Sequence, residues 1–258
     1  MRKILYLILV VIVLFSGCDN NEGNLTGKLV VRLTDSPAMY EEVLIDVQEL
    51  YIHNGDSGWM ELPLEITGQV DLLELSNGKD ILLTEKELPV GKISQMRMVL
   101  GDNNEIKING EYHHLETPSA LQSGLKFNIH AAIEPGVTYE MWIDFVAANS
   151  VVENGNGEYA LKPTIRVFTE ATSGSIIGFV DPAEAKPLVQ AITATEDTIS
   201  TFADEKSGEF VLRGLDADIY KVVFEPIPEY EQVEIENVEV TIGAATDLDT
   251  INIPQVSL

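Results

Sequence analysis

Cysteine is nearly missing from this 258-residue sequence. The one present is Cys18, so no disulfide can close within the chain, and a small secreted scaffold stapled by disulfides is excluded. Basic residues are scarce. Sixteen Lys and Arg stand against 42 Asp and Glu, a formal net charge of −26, whereas a nucleic-acid binder needs a basic footprint. Catalytic motifs are missing as well. No Gly-x-Ser-x-Gly occurs, no glycine-rich phosphate loop follows a strand, and no cysteine other than Cys18 could serve as a nucleophile. Amphipathic helix patterning is almost absent. What remains is apolar enough, at 45% hydrophobic residues, to exclude a mainly disordered chain.

The first residues read as a targeting segment rather than a fold element. Arg2 and Lys3 precede an uninterrupted apolar run from Ile4 to Phe15, too short to span a bilayer as a mature helix. Leu14-Phe15-Ser16-Gly17-Cys18 follows, and it resembles a bacterial lipobox, with Phe15 where that family prefers Leu. The resemblance implies cleavage after Gly17 and lipidation of Cys18. The multiple acyl chains of such an anchor hold a protein stably where one chain would not. Cleavage removes Arg2 and Lys3 and no acid, so the net charge moves from −26 to −28. Residues 1–17 are thus a lipoprotein signal peptide and 18–26 a tether. The expected location is a bacterial membrane, the outer membrane, with the chain facing the periplasm or the surface.

Beyond the tether the sequence predicts strands. Lys28 to Thr34 alternates, with Leu29, Val31 and Leu33 on one face. Tyr40 to His53 is longer, and its apolar phase slips from Val43, Ile45 and Val47 to Leu50 and Ile52, which predicts a bulge near Gln48–Glu49. Val70 to Leu75 and Ile81 to Leu83 read as short strands about an Asn77-Gly78 turn. Met96, Met98 and Leu100 lead into Gly101-Asp102-Asn103-Asn104, read as a hairpin turn, and Asn109-Gly110 is a type I′ signal. Pro163 marks an edge or a bulge. Six further strands fall between Ser175 and Ile242, with a kink at Glu236–Asn237. The fold class is all-β: two β-sandwich domains, 27–170 and 174–258, each large enough to bury a core.

Two family resemblances accompany these patterns. GFVD at Gly178–Asp181, PLVQA at Pro187–Ala191, DEKSGEF at Asp204–Phe210 and YKVVF at Tyr220–Phe224 resemble the carboxypeptidase regulatory-like domain. That implies a transthyretin-like, immunoglobulin-like sandwich without catalytic residues. GKLVVRLTD at Gly27–Asp35, VDLLEL at Val70–Leu75, RMVLGDNN at Arg97–Asn104 and TPSALQSGL at Thr117–Leu125 together resemble the DUF4382 domain. That implies a β-rich extracytoplasmic module and no particular chemistry.

Individual candidates are few. Of the four histidines, His53, His113, His114 and His130, the adjacent His113 and His114 are strand neighbours that point to opposite faces, so the two do not share an ion. Asp102, Asn103, Asn104 and Glu105 supply oxygens that calcium favours, in a run that is also good turn chemistry. Glu231, Glu234, Glu236 and Glu239 suit a charged edge that blocks sheet-to-sheet aggregation. Trp59, Trp142 and Tyr230 are the aromatic candidates for sugar contact, and Trp142 is expected to be partly exposed. No catalytic residue, metal ligand or cofactor is assigned. The expectation is a non-enzymatic, membrane-anchored module for binding or adhesion. Its partners would be carbohydrate or an envelope or surface protein, with no nucleic acid and with oligomeric state left open. The alternative is a structural or assembly subunit of a cell-envelope complex.

Overall fold

The computed structural model describes residues 25–55, 58–66, 68–118, 123–155 and 157–256. The expected signal peptide, with Gly17 and Cys18, and the expected tether up to Asn24 lie outside the described residues, as do Asp56, Ser57 and residues 119–122.

The first thirteen strands form two sheets. In chain order they are β1 (Thr26–Thr34), β2 (Glu42–Asn54), β3 (Gly58–Leu62), β4 (Gln69–Asp71), β5 (Ile81–Pro89), β6 (Gly91–Leu100), β7 (Glu105–Ile108), β8 (Glu111–Glu116), β9 (Leu125–Ile133), β10 (Thr138–Asp144), β11 (Val151–Glu153), β12 (Tyr159–Leu161) and β13 (Arg166–Phe168). One sheet has the order β13-β10-β1-β5, and the other runs β11-β12-β8-β7-β2-β6-β9, with β3 and β4 also paired to β2. The apolar faces of both sheets meet in one core that includes Leu29, Ile45, Leu50, Met96 and Ile143, all fully buried. Each such side chain contributes about 1.5–3 kcal/mol relative to exposure.

The long strand β2 organises this half. Its register shifts between Val47 and Glu49, so the extra residue Gln48 turns the odd apolar set and the even one onto the same core. Strands β6 and β7 lie end to end along one edge of β2, and β3 and β4 along the other. Leu100 pairs with Val47, Glu105 with Leu44 and Val70 with Ile45. Gly101–Asn104 is therefore an outward kink between collinear strands, not the hairpin expected from its composition. The buried Asn104 stabilises the kink: its amide accepts from Asp46 N at 2.9 Å and donates to Gly101 O at 2.7 Å. The hairpin is β7–β8, where Asn109 and Gly110 both take positive φ.

Two other readings change. Leu72–Leu75 is a 3₁₀ turn rather than a strand, because the Asp71 carboxylate accepts from Leu73 N and sends Leu72 and Leu75, three apart, into the core. Pro163 lies in the break between β12 and β13, which belong to different sheets.

The remaining strands are β14 (Gly174–Asp181), β15 (Leu188–Ile192), β16 (Thr198–Phe202), β17 (Glu209–Leu215), β18 (Ile219–Glu225), β19 (Val233–Glu239) and β20 (Ala245–Asn252). They form sheets of order β17-β14-β20 and β16-β15-β18-β19. Between them lies a second core, in which Phe210 meets Phe224 edge to face at 5.3 Å. The kink in β19 falls at Asn237, with φ of 60° and a register shift. Strand β20 was not expected. It is mostly exposed and carries only Leu248 and Ile251 on its inner side, too few apolar residues to set a period.

Candidate functional site

The two tryptophans occupy opposite environments. Trp142 is 4% exposed, against the expectation of partial exposure. Its position on β10 does face away from the first core, but the β14–β17 sheet covers that face. The indole N–H donates to Asp80 Oδ2 at 2.9 Å, Phe168 stacks on the ring at 5.8 Å, and Arg213 of β17 lies 5.9 Å from its centroid. Asp80 also pairs with Arg32 at 2.9 Å and Arg213 at 3.3 Å. Beside it the Asn77 side-chain amide bonds the backbone of β17 twice, to Glu209 O at 2.9 Å and from Val211 N at 2.7 Å, as another strand would.

Trp59 is half-buried on a face that no described sheet covers. It stands on β3 opposite His53 of β2, and their rings meet edge to face at 5.2 Å. The next rank along the sheet is Glu61, Tyr51, Arg97 and Lys126, on β3, β2, β6 and β9 in turn. The Arg97 guanidinium carbon sits 4.2 Å from the Tyr51 centroid and 5.0 Å from that of Trp59, and Lys126 Nζ is 5.7 Å from Trp59. Gln95 and Asn128 form the polar part of the Trp59 rank and are bonded to each other at 3.1 Å. Gly124, with φ of 91°, crosses the stem of Arg97. A Cβ there would lie 2.7 Å from Arg97 Cγ, so glycine lets the chain close down on that stem.

The electrostatics of this face are unusual for so acidic a chain. Arg32, Arg166 and Arg213 all pair with carboxylates, but no described carboxylate pairs with Arg97. Arg97 Nε and His53 Nδ1 are buried without a hydrogen-bond partner among the described residues. Glu49 hydrogen-bonds the Tyr51 hydroxyl at 2.8 Å, which raises the phenol above its ordinary pKa. Of these residues Trp59 was a candidate from the sequence for sugar contact and His53 was weighed there only as a metal ligand; Tyr51, Arg97, Lys126, Gln95 and Asn128 were missed. A signal was available. Beyond residue 18, residues 88–101 and 117–133 are the two longest stretches without Asp or Glu, and they contain the paired strands β6 and β9.

The other candidates are structural or isolated. Tyr230 is half-buried against the second core and bridges to Gln255. His113 packs on Tyr159 at 5.2 Å, its neighbour His114 is exposed, and His130 is exposed on β9. Among the described residues no three metal-ligating side chains converge. Gln69 binds Asn103 O and Glu105 within the kink, whereas Glu234 and Glu239 lie on the edge strand β19. No described helix is long and apolar enough to cross a membrane.

Most cavities lie where β13 meets the second half, one of about 240 Å³ beside Trp142, Phe168 and Arg213. Another of about 620 Å³ is lined by Arg166, Phe168, Asp197 and Tyr220, among others. Nearby, Asp144 is held by Arg166 and by Ser36 at 3.0 Å. Asp35 is buried, and its carboxyl is pushed up to about 8 by loss of water, with the charge of Asp144 adding. One oxygen accepts from Ala147 N at 2.8 Å and the other has no partner among the described residues.

The geometry defines an all-β protein with two aromatic-cationic clusters, one covered and neutralised by Asp80, the other without a described counter-charge. Residues 26–163 match the family described as a domain of unknown function, DUF4382, and the chain belongs to that family. No curated protein matches the sequence. Among solved structures, the shaft pilin SpaA of Lactobacillus rhamnosus GG is 11% identical at a TM-score of 0.24, covering 90% of this chain and 99% of its own. GBS52, the minor pilin of Streptococcus agalactiae, is 11% identical at 0.27, covering 90% and 97%. The Bacillus anthracis TIE protein is 12% identical at 0.24, and this chain spans about a third of it, 34%. At these TM-scores the likenesses carry no argument about function.

Proposed function

We propose that this protein is a non-enzymatic binding module of the bacterial envelope. Cleavage after Gly17 and lipidation of Cys18 anchor it to the outer membrane, and the outward face of β3-β2-β6-β9 takes a carbohydrate. Two domains, 27–170 and 174–258, carry the activity, the second as a transthyretin-like support of the carboxypeptidase regulatory-like type. The observation that supports the reading best is the juxtaposition of half-buried Trp59 and Tyr51 with the amides of Gln95 and Asn128. Aromatic rings stack on the apolar faces of pyranose rings, and neighbouring amides bond the hydroxyls.

Binding of the detergent-solubilised full chain to a panel of neutral and acidic glycans tests the ligand. Trp59→Ala is expected to remove the binding while leaving the thermal midpoint nearly unchanged. A panel without any binding, or binding indifferent to Trp59→Ala, overturns the reading. Lipid labelling of cells carrying wild type or Cys18→Ala tests the anchor, and label retained by the mutant contradicts it.

A further inference from the structure

We infer that the ligand of this face is an anionic polysaccharide, a pyranose chain bearing carboxylate or sulfate groups. The inference rests on reading the face as a carbohydrate platform and goes on to name its charge. Strands β6 and β9 contain no Asp or Glu, and their solvent side presents Lys92, Arg97 and Lys126. Arg97 is held against Tyr51 and Trp59 with no described carboxylate to neutralise it. A guanidinium fixed in that way matches the paired oxygens of a carboxylate or sulfate, where a lysine acts only as a point charge.

Charge also sets where the chain can lie. Glu49 and Glu61 occupy the β2 and β3 side of the face, so an anionic group is steered to β6 and β9. The surrounding surface of a chain with net charge −26 repels polyanions, so this face is where one is admitted. Lys92 and Arg97 are separated by roughly 15 Å along the strand, at about 3.3 Å per residue, which suits several sugar units better than one. The aromatic contribution separates the ligand from a simple polyanion, because Trp59 and Tyr51 contribute only where there is a ring to stack on them.

The test compares polygalacturonate, its methyl ester, dextran, dextran sulfate and polyglutamate as ligands for the full chain. The methyl ester keeps the sugar chain and removes the charge. Expected is binding to polygalacturonate or dextran sulfate, weaker by roughly tenfold or more for the matching neutral polymer and for Arg97→Gln. Arg97→Lys should recover only part of that loss, because it restores the charge without the planar fork. Lys126→Gln, at an exposed position, gives a second test that does not disturb folding, and a severalfold loss is expected. Equal, Trp59-dependent binding of the neutral polymers overturns the charge inference and leaves the platform reading standing. Binding of polyglutamate as tight as that of the sugars overturns the inference from the other side. Failure of all the glycans overturns both readings together.

Discussion

Two tryptophans in this molecule each stand beside an arginine, and the two pairs differ in what surrounds them. At Trp142 the arginine is neutralised: Asp80 takes Arg32, Arg213 and the indole N–H, and a second sheet covers the ring. At Trp59 the arginine has no described carboxylate, and no described sheet covers its face. A cation beside an aromatic ring is thus not by itself a site. The missing counter-charge distinguishes the two, because a desolvated, unneutralised cation gains from an arriving anion and a neutralised one does not.

The largest expected effect breaks the covered pair. Trp142→Ala leaves a cavity and removes a donor from Asp80, so a loss of about 3–5 kcal/mol is expected in denaturant unfolding. Trp59→Ala, on the face that no described sheet covers, should stay within about 1 kcal/mol. Equal costs at the two positions would remove the distinction. Asp80→Ala is next, since it strips two arginines of a largely buried partner while leaving Glu140 for Arg32. A loss of about 2–4 kcal/mol is expected, and loss under about 0.5 kcal/mol would show that water already screens these charges.

Asp35 sharpens the comparison through pH. Its carboxyl binds a proton more tightly in the folded chain, with a pKa of about 8, than in the unfolded chain. Its stabilising contribution is therefore complete below the unfolded pKa, about 3.9, and is lost as pH rises through 8. Thermal midpoints should fall across that window in wild type, and Asp35→Asn should flatten the fall. Each 1 kcal/mol corresponds to roughly 2–4 °C at this chain length. A profile unchanged by the substitution would contradict the assignment. The smallest stability effect is expected at Arg97→Gln, below about 1 kcal/mol, because it deletes a stacking contact and no ion pair.

Much of the fold was legible because one-sided burial writes a period of two. The phase slip in β2 located its bulge, and Asn109-Gly110 located its hairpin. What failed was set by partners distant in sequence. Gly101–Asn104 reads as a turn by composition, yet it becomes a kink because β2 lies beside both flanking strands. Trp142 alternates correctly, but periodicity cannot show that a second sheet will cover the outer face. The candidate site was half legible. Trp59 was visible as an aromatic, whereas the rank of Tyr51, Arg97 and Lys126 exists only once β2, β6 and β9 are in register. The absence of acid from residues 88–101 and 117–133 was readable all along.

The most direct measurement uses the fact that the chain has two tryptophans. Fluorotryptophan labelling of the full chain gives two fluorine resonances, assigned with Trp59→Phe. Titration with oligogalacturonate should move the Trp59 line, leave the Trp142 line in place, and need roughly tenfold or more ligand for the same shift in Arg97→Gln. Movement of the Trp142 line alone, or a Trp59 shift with the same midpoint in Arg97→Gln, would contradict the account.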